Sequence, residues 1–199
     1  MFPLSTVLFP HSRLPLHVFE PRYRRLVDDV LAGDGRFGVV LIARGPEVGG
    51  GDDRTDLGTV ATVEAAEALP DGRWLLVARG LERLRVTRWL PDDPYPAAMV
   101  ETLRSPPTAD GPALLAAVAA LRQVLALRSE LGETPAPALD QAIGDGPDEV
   151  GWRLCALAPV NPLDRQRLLE TDDPDERLAT LGTLVGAVAE DLRRMLSHG

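Results

Sequence analysis

The feature that most constrains the fold of this 199-residue chain is a change of hydrophobic rhythm at Ser105-Pro106-Pro107. Before that break, short apolar runs alternate with turn residues. After it, apolar residues recur every three or four positions. The first pattern is that of strands and the second that of helices. The chain therefore reads as a β-rich subdomain over residues 1–104 and a helical subdomain over residues 105–199.

In the first half, strands are expected at residues 4–9, 16–19, 38–43, 58–68, 74–78, 81–90 and 98–103. Asp71-Gly72 has the composition of a tight hairpin turn. One helix interrupts them, from Pro21 to Leu31, with Tyr23, Leu26, Val27 and Val30 on one face and Gly33 as its stop. The glycine- and acid-rich stretch 45–56 (GPEVGGGDDRTD) reads as a mobile surface loop. In the second half, Leu114, Val118, Leu121 and Leu125 form an apolar stripe ended by Gly132. Three later helices open at Gly146-Pro147, Asn161-Pro162 and Asp173-Pro174. The last of them repeats Leu178, Leu181, Val185, Val188, Leu192 and Met195 as a narrow seam suited to packing on the other helices.

Charge and composition exclude whole classes of chemistry. The chain carries a formal net charge of -9, and its basic residues are all arginine. Residues 1–104 hold 13 Arg against 15 acids, and residues 105–199 hold 8 against 15. An acidic surface repels a phosphate backbone, so nucleic acid is not an expected partner. Without lysine there is no phosphate-binding GxxxxGK loop, no Schiff base and no Ser-Lys dyad. The single cysteine, Cys155, permits no internal disulfide and no CxxC site, and reads as a small buried hydrophobe. No apolar run of about 20 residues is evident, nor a signal peptide, and the expected location is the cytoplasm, away from membranes.

The amino-terminal motifs Pro3-Leu4, Leu8-Phe9-Pro10 and Leu14-Pro15-Leu16-His17-Val18-Phe19-Glu20-Pro21-Arg22-Tyr23-Arg24-Arg25-Leu26 resemble the opening of the Lon protease amino-terminal domain. Gly80-Leu81-Glu82-Arg83-Leu84-Arg85-Val86 is similar to its central strand. Gln166-Arg167-Leu168-Leu169-Glu170-Thr171, with Arg177-Leu178, resembles its closing helices, so the likeness runs from Phe2 to about Leu184. The resemblance implies an α+β fold: a PUA-like β-pseudobarrel containing one short helix, followed by a carboxy-terminal helical bundle. It also implies a non-catalytic module that binds unfolded or apolar polypeptides, alone or feeding an ATP-dependent protease. The expectation is a stand-alone member, since 199 residues hold no ATPase module and no lysine for a proteolytic dyad. A small-ligand PUA-like receptor or a protein-interaction adaptor is the alternative.

Within that frame the candidate binding residues are Trp89 and Tyr95, which could rim an apolar surface, and Glu20, Arg22 and Arg83. Glu20 could accept a hydrogen bond from Arg22, Arg79 or Arg83. No catalytic residues, metal site or cofactor are expected. His11-Ser12 is the one neighbouring pair of nucleophile and base type, without a hydrolase turn around it. His11, His17 and His198 make no ligand cluster. The acidic pairs 28–29, 52–53, 92–93 and 172–173 are assigned to loop solvation or helix capping.

Overall fold

The computed structural model describes residues 1–45, 51–108, 110–132 and 146–198. The chain divides into two compact units, Met1–Arg104 and Ser105–Gly199. Among the described residues they hold a six-stranded mixed sheet and five helices, an α+β fold.

The first unit contains strands β1 (Phe2–Leu4), β2 (Arg13–Val18), β3 (Arg36–Arg44), β4 (Asp53–Ala68), β5 (Trp74–Leu90) and β6 (Ala97–Leu103), with helix α1 (Pro21–Ala32) between β2 and β3. The sheet runs β1-β3-β4-β5-β2, and β6 also pairs with β5. Among the described residues only the β1–β3 pairing is parallel. The long strand β5 uses one flank twice: residues 74–79 pair with β2 and residues 83–90 with β6. Register shifts interrupt β3–β4, β4–β5 and β5–β6, and such bulges bend and coil a sheet. The result is a strongly bent pseudobarrel whose order ends at β1 and β2. Helix α1 begins with Pro21 in its first turn and buries Tyr23, Leu26 and Val27 against the sheet core of Phe2, Leu4, Val18, Phe37 and Leu76.

Several sequence expectations change here. Residues 7–9 are buried but not in a strand, because the chain leaves β1 after Leu4 and turns back at Phe9-Pro10-His11. The runs at 74–78 and 81–90 are one strand, since Gly80 stays in the ladder opposite Ala61. Part of the stretch 45–56 is not a loop: β4 begins at Asp53, while residues 46–50 lie outside the described residues. Gly33 follows α1 at φ -96, and the left-handed residue is Gly35 at φ 75. The Asp71-Gly72 turn forms, with Gly72 at φ 80 and the Leu69 N–H donating to the Arg73 carbonyl at 2.8 Å.

The second unit contains α2 (Pro112–Glu130), α3 (Pro147–Leu157), α4 (Pro162–Glu170) and α5 (Pro174–His198). Proline at each start supplies a pre-set φ where the missing N–H costs nothing. Asn161 caps α4 by accepting from the Asp164 N–H at 2.9 Å, and Asp173 accepts from the Glu176 N–H at 2.8 Å. Helix α2 packs along α5, and α3 touches all three of the others. The buried stripe of α2 is Ala117, Leu121 and Val124, one position off the expected Val118 and Leu125. That stripe and Leu178, Leu181, Val185 and Ala189 of α5 are all buried, in two helices that pack together, whereas Met195 is exposed. Leu115 is also exposed, and α2 has a mean hydropathy of 1.3 over 18 residues, enough by length and composition to cross a membrane.

Trp152 and Cys155 of α3 are buried, with the Arg177 guanidinium 3.6 Å above the Trp152 ring. Burial pushes the Cys155 thiol up to about 12, so it stays a neutral thiol. Arg165 donates to the carbonyls of Ala156 and Ala158 at 3.1 and 3.4 Å, which ties the end of α3 to α4.

Candidate functional site

The site begins with a backbone lock. The His11 N–H donates to the Gly80 carbonyl at 2.8 Å, and the Gly80 N–H donates to the Ser12 carbonyl at 2.9 Å. The Thr59 hydroxyl adds a bond to the Leu8 carbonyl at 2.6 Å. A Cβ at position 80 would collide with the Phe9 carbonyl oxygen, so glycine is required by this close approach. His11 takes φ 61 to complete the turn. The lock delivers the chain into β2 along the first half of β5.

Beyond β2 the chain passes through Phe19 and Glu20 into α1. Phe19 is 50% exposed, with its ring 6.1 Å from that of His17. Arg22 Nε donates to Glu20 Oε2 at 3.2 Å, and the Arg22 guanidinium lies 4.4 Å from the centre of the Tyr23 ring. Tyr23 stacks on Phe2 at 4.4 Å, and burial pushes its phenol up to about 12.

Two clefts border β2. One, of about 240 Å³, is lined by residues 2–4 of β1, residues 15–20 and Tyr23. The other, of about 590 Å³, is lined by residues 15–17, residues 65–67 of β4 and residues 75–77 of β5. Their walls are mostly apolar, and Leu75 is 41% exposed at the second. The charged residues lining them are Glu20 in the first and Glu67 in the second. Such an arrangement can receive apolar side chains and offers no nucleophile with a base. Among the described residues no group of three or more His, Cys, Asp or Glu could hold a metal ion, and the side chain of His198 lies outside them.

The expected binding residues are scattered rather than gathered. Glu20 and Arg22 meet at the first cleft. Trp89 is half-buried, donates from Nε1 to Asp56 at 3.0 Å and packs with Val40, Leu84 and Val86. Tyr95 instead packs against the core beneath α1 and donates to Asp29 Oδ2 at 2.8 Å. Arg83 is 1% exposed inside the sheet, opposite Thr59 and Leu103, and has no surface for a ligand. Arg79 pairs with Glu64 at 3.0 Å, and Arg22 is seen on Glu20 at 3.2 Å.

Sequence reasoning missed a second charged assembly. Arg54 makes two bonds to Asp52, at 2.7 and 3.3 Å, and two to Asp92, at 3.1 and 2.7 Å. Its guanidinium also lies 5.1 Å from the Trp89 ring. The Asp52 side chain is 2% exposed. Burial alone would push its carboxyl up, but the hydrogen bonds and charge of Arg54 hold it below the usual value. The bonds Arg54 donates to Asp92, with those to Asp52, raise its guanidinium above its ordinary value. Asp52 is therefore a buried ion-pair carboxylate rather than a solvated loop acid, while Asp92, an exposed loop residue, closes on the same arginine. It also missed the clefts, although a proline inside a strand, Pro15, marks an edge.

The sequence model of the ATP-dependent protease La (LON) substrate-binding domain matches residues 1–185. A Lon protease of Trichlorobacter lovleyi is 27% identical over 94% of this chain, and Lon protease 2 of Sorangium cellulosum is 33% identical over 95%. The chain spans 23% and 24% of the length of those two relatives. Among solved structures, the Lon N-terminal domain protein from Xanthomonas campestris superposes with a TM-score of 0.64 at 31% identity, covering 90% of this chain and 94% of that one. The N-terminal domain of a Mycobacterium avium complex Lon protease has a TM-score of 0.58 at 18% identity over 92% and 96%, a likeness of fold. From the Phe9–Gly80 lock to the closing helices, this chain belongs to the LON substrate-binding domain family.

Proposed function

We propose that this protein is a non-catalytic polypeptide-binding module of the cytoplasm that takes apolar segments of protein substrates at the clefts beside β2 and presents them to an ATP-dependent protease. The observation that carries this reading is the exposed apolar surface of Phe19 and Leu75, placed with Pro15 and Leu16 around two clefts. An apolar patch beside a cleft is a surface whose burial is favourable, at roughly 25 cal/mol per Å² removed from water. Trp89 and Tyr95 already satisfy their polar atoms within the fold and are secondary to this surface. The wider cleft, at about 590 Å³, falls within the roughly 300–1,000 Å³ usual for small-molecule sites, which favours a small-ligand receptor as the second reading.

The test is fluorescence anisotropy with labelled apolar peptides and an unfolded protein. Wild-type protein should bind saturably, and the Phe19→Ala, Leu75→Ala double variant about tenfold more weakly at unchanged thermal stability. Equal binding by both proteins would remove these clefts from the function.

A further inference from the structure

Strand β2 has one paired flank. Its residues pair with β5 from Arg13↔Arg79 to Val18↔Trp74, and no second ladder is found on it among the described residues. Pro15 reveals which backbone groups face away. A proline has no N–H, so its place in the ladder is satisfied without loss only when its nitrogen points away from β5. By the two-residue period of a strand, Leu14, Leu16 and Val18 then bond to β5. Arg13, Pro15 and His17 turn their backbone groups outward. The outward flank offers the N–H groups of Arg13 and His17 and the carbonyls of all three.

We infer that this free edge of β2 takes the polypeptide segment as an added β-strand, its alternate side chains entering the two clefts that share residues 15–17. The inference rests on the polypeptide-binding reading above and adds the conformation and chemistry of the segment. An open edge is a template for pairing, and an extended chain can satisfy it along its length. One cleft opens beyond the edge toward β1, and the other over the sheet face made with β4 and β5. No charged side chain interrupts residues 14–18. Since the charged lining residues are Glu20, paired with Arg22, and Glu67, the segment is apolar with basic rather than acidic flanks.

The probe is a labelled peptide of alternating Val and Ser with Lys at both ends, compared with versions N-methylated at alternate backbone positions. Methylation in one register should weaken binding at least tenfold, because those N–H groups bond to β2, while the other register is tolerated. His17→Pro, which deletes an outward N–H, should weaken the parent peptide to a similar degree at an unchanged melting temperature. Replacing the Lys ends by Glu should weaken binding about threefold at low salt. If the parent peptide binds but both methylated registers bind equally well, strand addition is overturned and the polypeptide-binding reading stands. If neither the parent peptide nor the unfolded protein binds, both fall. Tighter binding of the Glu-ended peptide would overturn the stated charge preference.

Discussion

The two strands that share one flank of β5 leave very different free edges. On β6, Glu101 pairs with Arg85 at 3.3 Å, and Arg88 reaches the Met99 sulfur at 3.1 Å, so long charged side chains lie across its exposed surface. On β2, Arg13 is drawn to Glu64 at 2.7 Å, and the following five residues bear only Pro15 and His17 as exposed side chains. Charges discourage pairing at an edge by demanding solvation, whereas a single proline removes one donor and leaves the apolar surface open. The difference lies in what the neighbouring side chains place beside each backbone edge, charged groups at β6 and mostly apolar ones at β2.

The contrast can be broken most severely at Gly80. Gly80→Val should destabilise the first unit by about 3 kcal/mol, because the side chain meets the Phe9 carbonyl and opens the lock that starts β2. Urea unfolding measures it, and a cost below about 1 kcal/mol would show that the turn yields easily. Arg54→Ala should cost about 2 kcal/mol by leaving the buried Asp52 carboxylate without its cation, yet change peptide binding little, since Arg54 serves the side of the sheet near Trp89. Loss of binding in that variant would show that the two edges communicate.

Titration should separate the regions further. Tyr23 and Cys155 both have folded values raised to about 12, from 10.0 and 9.0. A raised acid keeps its proton in the folded state, so its stabilisation is complete below the unfolded value and is lost as pH rises toward 12. Alkaline melting curves should fall across that window, and Tyr23→Phe should flatten the part due to the first unit. Asp52 acts oppositely: with its value lowered from 3.8, its stabilisation is present above that value and lost as pH falls through the lowered one. Asp52→Asn should reduce acid sensitivity, as followed by circular dichroism. The smallest effect belongs to Tyr95→Phe, which removes the bond to Asp29 and should cost roughly 0.5–1.5 kcal/mol without altering peptide affinity.

Signals carried by neighbouring residues were legible in the sequence. Proline after Gly111, Gly146, Asn161 and Asp173 marks four helix starts in the structure, three of them expected, because a cap and a fixed φ act within one turn. The face Tyr23, Leu26 and Val27 was readable from its spacing for the same reason. Burial at residues 7–9 was also visible, but not its form, since an apolar run looks alike in a strand and in a buried turn. Arg83 could not be placed from sequence, because an arginine that tolerates 1% exposure does so only inside a particular sheet.

Sequence by itself determined the α+β class, the family and most helix boundaries. Tertiary structure alone decided that Gly80 and Phe9 meet across 71 positions, that Arg54 joins Asp52 to Asp92, and that two clefts share β2. The division has a physical cause. Dihedral preferences and hydrophobic period act over a few residues, whereas a cleft exists only after distant segments have chosen one register among several that the same local pattern allows.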